Sequence, residues 1–198
     1  MSHHKLSSVS VFCGSNSGSN PQYAAAARKL GRALAKQRIT LVYGGGNVGL
    51  MGELADAALA DGGEVIGVIP HGLAVKEVAH EGATKMHVVD TMHDRKALMA
   101  DLSDASLALP GGLGTLEEIF EIISWGQLGI HQKPCGFLNV AGYYDQLIGF
   151  LDYAAGQQFI KPEHRATILV DDDHGRLLEQ MRVYDPPAIE KWIRKDER

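Results

Sequence analysis

The chain has 198 residues, 45% of them hydrophobic, a size that suits one compact domain over residues 1–198 with peripheral ends at 1–7 and 186–198. Its formal charge of -5 argues against general binding to nucleic acid. No apolar stretch approaches the ~20 residues of a membrane span, and the start of the chain lacks the apolar core of a secretory signal. We therefore expect a cytoplasmic protein with neither a membrane nor a nucleic acid as partner.

The two cysteines, Cys13 and Cys135, each lie inside an apolar segment of strand character. Free cysteine behaves as a small hydrophobic residue and is often buried, and disulfides are rare in the cytosol. The sequence therefore predicts two buried, reduced thiols, with no disulfide and no cysteine metal site.

Short apolar runs that end in glycine or proline alternate with longer helical segments along the chain. This alternation is typical of βαβ units and a parallel sheet. We predict strands at residues 9–13, 39–43, 64–69, 86–89, 105–109, 135–138 and 168–170. We predict helices at residues 21–36, 49–60, 92–102, 143–155 and 175–182, one from the Gly111 loop to about 128, and a charged one from 189. The predicted fold class is α/β: a single Rossmann-like, doubly wound and mostly parallel sheet of about seven strands, with helices on both faces.

Three glycine-containing loops, at Gly14, Gly44 and Gly111, each follow a predicted strand. The carboxyl ends of parallel strands share one edge of a sheet, where ligands bind near the reversal of strand order. The second loop also matches the dinucleotide pattern G-x-G-x-x-G from Gly44 to Gly49. However, the next strand ends at Pro70 without a carboxylate for the ribose, which argues against a dehydrogenase. Three such loops at one edge favour a phosphate or nucleotide site over simple tight turns.

The run Pro-Gly-Gly-Leu-Gly-Thr-Leu-Glu-Glu at residues 110–118, here called the signature loop, is the most informative stretch. Its glycines free the backbone to approach an anion, and Glu117 and Glu118 are expected in the first turn of the following helix. Thr115 and Glu118 have the spacing of a capping box, in which each side chain bonds the other's backbone amide. Spacing alone favours capping as the role of Glu118, with catalysis as the alternative.

A second group of residues, Met-His-Asp-Arg-Lys at 92–96, begins a predicted helix. Arg95 can grip a phosphate or carboxylate with two hydrogen bonds, and Lys96 adds a point charge. Two neighbouring cationic side chains on a helix usually lie on a solvent-exposed surface. Here they follow the strand at 86–89, so they can face the same edge as the glycine loops.

Together these motifs resemble the Lonely Guy family of cytokinin riboside 5′-monophosphate phosphoribohydrolases. The signature loop fits P-G-G-x-G-T-x-x-E, and the likeness continues through CGSNSG, YGGGNVGLMG, MHDRK, ISWGQLGIHQKP and LNVAGYY. It covers nearly the whole chain apart from the first residues and the charged tail. The resemblance implies hydrolysis of N6-modified adenosine 5′-monophosphates, and of AMP, to free base and ribose 5-phosphate, with no cofactor and no metal.

The resemblance also implies roles for individual residues. Arg95 and Glu118 fall on the two catalytic positions. Ser124 stands where plant members have threonine, and Glu77 lies in a Lys-Glu-Val triplet where the family has Arg-Glu-Ile. The implied substrate contacts are Gly45, Glu77, Lys96, Gly111, Gly112, Leu113, Gly114, Thr115, Leu116, Glu117 and Ser124.

Hydrolysis of this bond passes through an oxocarbenium-like transition state, which Glu118 can stabilise, or for which it can orient water. Arg95 can bind the phosphate or polarise the leaving base, and the sequence leaves both roles open. The alternative is a non-hydrolytic protein that binds or carries a nucleotide or the molybdenum cofactor on the same fold. Having both Arg95 and Glu118 favours the enzyme. A lysine decarboxylase, a label given to some relatives, is disfavoured because no residue set for pyridoxal phosphate is evident.

Family members of this length are usually homodimers. Trp125, Leu128 and Ile130 can supply an apolar helix face for such an interface, although packing in the core explains them equally well. We therefore expect a homodimer that binds a small nucleoside monophosphate.

Overall fold

A computed structural model of the protein describes residues 5–74 and 79–187. These residues form one seven-stranded sheet with helices packed on it. The strands are β1 (Ser8–Phe12), β2 (Thr40–Tyr43), β3 (Val65–Pro70), β4 (Lys85–Val89), β5 (Ala105–Ala108), β6 (Cys135–Leu138) and β7 (Ile168–Asp171). The α-helices are α1 (Pro21–Lys36), α2 (Gly49–Ala60), α3 (His71–Ala74), α4 (Met92–Asp101), α5 (Leu113–Gln127), α6 (Asp145–Gly156), α7 (Pro162–Ala166) and α8 (His174–Arg182).

The strand order of the sheet is β4-β3-β2-β1-β5-β6-β7, and all of its pairings are parallel. The chain winds outward from β1 to β4 and then returns to the other side of β1 with β5. Strand order therefore reverses between β1 and β5, and the carboxyl ends of these strands flank a crevice of the kind that binds ligands. The predicted doubly wound α/β fold is confirmed.

The central strands are short and apolar because both of their faces are covered. All four residues of β5 are buried, as are three of the four residues of β2. Near-continuous burial of this kind is typical of parallel sheets with helices on both faces. At the start of α1, the Asn20 side chain accepts a hydrogen bond from the amide of Gln22, and Pro21 occupies the first turn, where its missing N–H costs nothing.

Two apolar clusters cover the two faces of the sheet. One is formed with α1, α2 and α8 and includes Leu34, Leu54 and Leu177. The other is formed with α4, α5 and α6 and includes Trp125, which is only 6% exposed. Trp125 therefore packs in the core, the second of the two roles left open by the sequence.

Both cysteines are buried and free, as predicted. Burial raises the pKa of the Cys135 thiol to about 12. Burial also raises the pKa of Cys13, and the nearby negative charge of Glu118 adds to the rise. Both thiols are therefore uncharged at neutral pH.

Most predicted elements agree with the structure to within about two residues at each end. The short helices α3 and α7 were not predicted. The charged helix predicted from residue 189 lies outside the described residues. Within the described part of the chain, none of the helices combines the length and the apolar character that a membrane span needs.

Candidate active site

A cavity of about 300 Å³ opens at the carboxyl edge of the sheet, where strand order reverses. The loops after β1, β2 and β5 all contribute to its wall, together with the first turns of α4 and α5. The predicted gathering of the three glycine loops at one edge is therefore observed. The cavity is lined by Val11, Phe12, Cys13, Gly14, Ser15, Gly44, Met51, Leu73, Met92, Arg95, Gly112, Leu113, Gly114, Thr115 and Glu118.

The predicted capping box of Thr115 and Glu118 is wrong. Helix α5 begins at Leu113, with Gly112 as its N-cap residue and no side-chain capping bond. The turn before the helix is tight, since a Cβ on Gly111 would lie 2.1 Å from the Thr115 hydroxyl. Thr115 therefore packs against Gly111 inside the first turn, and Glu118 lies in the second turn rather than the first.

Without a capping side chain, the start of α5 is open to a ligand. Gly112, Leu113 and Gly114 are exposed there, and the first turn carries no acidic residue. The first amides of any α-helix have no acceptor within the helix, and the helix dipole adds positive potential at this end. The signature loop therefore presents backbone donors suited to a phosphate.

Arg95 and Glu118 meet in the wall of the cavity. The Nη1 atom of Arg95 lies 3.5 Å from Oε1 of Glu118, and the side chains are only 7% and 10% exposed. The guanidinium is also anchored to the backbone, because Nε donates to the Val68 carbonyl (3.1 Å) and Nη2 donates to the Gly44 carbonyl (3.0 Å). Arg95 is thus held rigidly, with Nη1 facing the carboxylate.

The second glycine loop has a structural reason for its composition. A Cβ on Gly44 would lie 1.9 Å from Nη2 of Arg95, so only glycine leaves room for the guanidinium. At Gly49, with a φ of +55°, a Cβ would lie 2.3 Å from the backbone of Ser15 in the first loop. The glycines of the G-x-G-x-x-G pattern thus leave space for the guanidinium of Arg95 and let the second glycine loop pack closely against the first.

Lys96 lies beside the cavity rather than in its lining. Its ammonium group contacts Oε1 of Glu117 and lies 2.9 Å from Oε2 of Glu121, so it connects α4 to α5. Burial acts to lower the pKa of Lys96, but hydrogen bonds from the ammonium to Glu117 and Glu121 outweigh it, and the pKa is raised. Lys96 is therefore charged at neutral pH.

The other predicted contacts are more scattered. Ser124 is exposed on α5, and its hydroxyl donates to the Phe120 carbonyl at 2.7 Å. Leu116 packs against the α4–α6 cluster, and the Gly45 carbonyl accepts a hydrogen bond from the amide of His80 at 2.9 Å. Gly111, within the signature loop, lines a neighbouring cavity. Glu77 lies outside the described residues.

Helix α4, which carries Arg95, is capped by a residue that the sequence analysis missed. The Thr91 hydroxyl accepts a hydrogen bond from the amide of Asp94 at 3.0 Å, and Asp94 accepts one from the amide of Thr91 at 3.1 Å. This is a capping box. The T-x-x-D spacing was visible in the sequence and could have identified it.

Fold and site together define a Rossmann-like α/β protein with a ligand cavity at its topological switch point and an arginine–glutamate pair in the cavity wall. Residues 51–181 match the family described as possible lysine decarboxylase. A cytokinin riboside 5′-monophosphate phosphoribohydrolase of Rhodococcoides fascians is 52% identical over 167 residues, which are 84% of this chain and 84% of that protein. One from Arabidopsis thaliana is 49% identical over 178 residues, which are 90% of this chain and 82% of that protein. This chain belongs to the Lonely Guy family of phosphoribohydrolases, as its motifs indicated.

Solved structures share the fold at low sequence identity. The molybdenum cofactor carrier protein of Chlamydomonas reinhardtii has a TM-score of 0.68 and 20% identity, over 89% of this chain and 98% of that one. The molybdenum cofactor binding protein of Rippkaea orientalis has a TM-score of 0.66 and 21% identity, over 88% of this chain and 94% of that one. Likeness at this level of identity concerns the fold alone, so it does not favour the carrier alternative.

Proposed function

We propose that this protein hydrolyses the N-glycosidic bond of N6-modified adenosine 5′-monophosphates, and of AMP, to release the free base and ribose 5-phosphate. The observation that carries the proposal is the buried pair of Arg95 and Glu118 beside the uncapped start of α5. This arrangement puts a carboxylate next to a set of phosphate donors. Relatives with about half of their residues identical are named for this activity.

In the proposed mechanism, Glu118 acts on the ribose. As the bond between the anomeric carbon and the base nitrogen breaks, its electron pair leaves with the base, which takes up a proton. Positive charge then develops on the ribose, and the Glu118 carboxylate stabilises that charge and orients the water that attacks the anomeric carbon. Water supplies the hydroxyl group of ribose 5-phosphate, and the proton that the water loses balances the one that the base takes up.

Arg95 orients Glu118 in this mechanism. Because Nε and Nη2 are already bonded to the carbonyls of Val68 and Gly44, the guanidinium is not free to turn toward a phosphate. Its Nη1 atom donates to Sδ of Met92 and lies 3.5 Å from Oε1 of Glu118, so the ion pair helps to hold the carboxylate in place. Pre-positioned charge is effective because it needs no reorganisation during the reaction.

The phosphate binds at the start of α5, with the amides of Gly112, Leu113, Gly114 and Thr115 as donors. These residues therefore remain proposed substrate contacts. A cavity of about 300 Å³ lies within the usual range for small-ligand sites. Leu73 and Met92, which also line it, are apolar and suit an apolar N6 substituent.

Lys96 and Glu117 act on the substrate indirectly in this proposal. Their ion pair links α4 to α5, and these two helices carry Arg95 and Glu118. The roles of Gly45, Gly111, Leu116 and Ser124 are likewise to shape the loops and helices around the cavity.

We also propose a cytoplasmic homodimer. Support comes from Met92 and Leu113, which line the cavity yet are 41% and 86% exposed, so that a second copy could cover them. Light scattering coupled to size-exclusion chromatography tests the proposal: a mass near twice 21.4 kDa is expected, and a mass of 21.4 kDa contradicts it.

Incubation with AMP and with N6-isopentenyl-AMP, followed by chromatography, tests the proposed activity. Free base and ribose 5-phosphate should accumulate in equal amounts. Tight binding of either nucleotide without release of base would instead support a carrier.

A further inference from the structure

Two consecutive tyrosines from the segment after β6 contact the backbone of the signature loop and of the residue just before it. The Tyr143 hydroxyl donates to the Gly111 carbonyl at 2.6 Å, and the Tyr144 hydroxyl donates to the Leu109 carbonyl at 2.6 Å. Between them, the Pro110 carbonyl accepts a hydrogen bond from the amide of Gly14 at 3.1 Å. Three successive carbonyls of this turn are thus held by donors from other parts of the fold.

The two tyrosines are themselves held in place. Tyr144 is 2% exposed, and its amide donates to Oδ1 of Asn139 at 2.7 Å. Its ring packs edge-to-face against Tyr143, with ring centres 4.9 Å apart, and Tyr143 packs in the same way against Tyr23 at 5.4 Å. Neither phenol can turn away without breaking these contacts.

The backbone before the tyrosines adopts an unfavourable conformation. Ala141 has a φ of +52°, in the left-handed region that residues other than glycine rarely adopt. Gly142 follows with a φ of +71°. Such strain persists only where surrounding contacts enforce it, and it concentrates at functional sites. The placement of Tyr143 and Tyr144 is therefore maintained against local preference.

The hydrogen bond from Tyr143 also orients the next amide. In a trans peptide the carbonyl and the N–H of the same unit point in opposite directions. Because the Gly111 carbonyl is turned toward Tyr143, the N–H of Gly112 points away from it. Gly112 is the N-cap residue of α5, and it lines the active-site cavity.

We propose that Tyr143 and Tyr144 are positioning residues that hold the phosphate-binding amides of the signature loop in place. The proposal rests on the proposed function in so far as it takes that loop as the phosphate site. Tyr143 lines the neighbouring cavity with Gly111 and Gly112, Tyr144 is buried, and both act on the ligand through the loop. Loss of either hydroxyl frees a peptide of the turn and weakens the binding of phosphate selectively.

Two probes, each a part of the AMP molecule, separate this effect from a general loosening of the site. Ribose 5-phosphate carries the phosphate without the base, and adenosine carries the base and ribose without the phosphate. By calorimetry, Tyr143→Phe should weaken ribose 5-phosphate binding about three- to tenfold, the equivalent of one ordinary hydrogen bond. Adenosine binding should change less than twofold. With AMP as substrate, KM should rise by the same factor while kcat is kept, because uniform binding is lost.

Two further variants make the test specific. Tyr153→Phe removes a hydroxyl from an exposed ring on α6 and should leave all of these quantities unchanged. Tyr144→Phe removes the buried hydrogen bond to Leu109 and should weaken ribose 5-phosphate binding as Tyr143→Phe does. Thermal melting verifies that each variant is folded before its binding is measured.

Unchanged ribose 5-phosphate binding in Tyr143→Phe, an equal loss for adenosine, or no ribose 5-phosphate binding by the native protein would each overturn the proposal. Turnover of AMP by the native protein is measured separately. If base is released but the Tyr143→Phe effect is absent, the proposal fails and the proposed function stands. If the effect is present but no base is released, the proposed function fails and the role of the tyrosines stands.

Discussion

Arg95 shows how the site depends on a contact between residues that are far apart in the sequence. Its guanidinium lies directly against Gly44, whose carbonyl accepts one of its hydrogen bonds. The sequence identified Arg95 because its helix follows a strand of the predicted sheet. It could not show that Gly44 makes room for Arg95, because the two residues are 51 positions apart in the chain and meet only in the fold.

The variant Gly44→Ala tests this dependence. The added Cβ would displace the Arg95 guanidinium from its position beside Gly44. Turnover of AMP should therefore fall about 100-fold, the loss that follows a misplacement of about 1 Å. The matched control is Gly149→Ala on α6, where a Cβ meets open space, and its turnover should equal that of the native protein. Native turnover in a folded Gly44→Ala variant would contradict the role of Gly44.

Glu118 shows where spacing alone misleads. Thr115 and Glu118 fit a capping box, yet the helix begins at Leu113, so neither occupies a capping position. Thr115 instead packs closely on Gly111, a contact that the capping pattern does not indicate. The contact of Lys96 with Glu117 and Glu121 was also missed, because it depends on the way α4 packs beside α5.

At the scale of elements, α4 carries both Arg95 and Lys96, so its first turn must be well formed. The capping box of Thr91 and Asp94 stabilises that turn. Helix α1, whose predicted bounds match the observed ones, also has a strong local start signal in Asn20 and Pro21. The helices α3 and α7 were missed because four or five residues are too few to show a helical period.

The variant Thr91→Ala should lower the free energy of unfolding by about 1 kcal/mol, since it removes the acceptor for the amide of Asp94. Chemical denaturation followed by circular dichroism measures this change. Thr91→Ser keeps the hydroxyl and should restore most of the stability. Equal stability of the alanine and native proteins would show that the cap contributes nothing.

At the scale of the whole molecule, alternating strands and helices predicted the doubly wound sheet. They did not reveal the order of its strands, which depends on how the helices pack across both faces. That order places β5 beside β1, and so brings the Gly14 loop against the signature loop through the hydrogen bond from the Gly14 amide to Pro110. The site is thus a product of topology as much as of its motifs.

Burial of both cysteines in this fold gives a prediction for the whole molecule. Because burial raises the pKa of Cys13 and Cys135, neither forms the reactive thiolate at pH 8. A colorimetric thiol reagent should therefore label neither in the native protein and both after unfolding in guanidinium chloride. Rapid labelling of the native protein would contradict the described packing.

In the proposed mechanism, Glu118 stabilises the charge that develops on the ribose. The most direct measurement compares release of base from AMP by the native protein, by Glu118→Gln and by Glu163→Gln, an exposed change on α7. We predict that Glu118→Gln stays folded and loses at least about 100-fold in kcat, as expected when a transition-state stabiliser is removed. Glu163→Gln should match the native protein. A folded Glu118→Gln variant with native kcat would contradict the account.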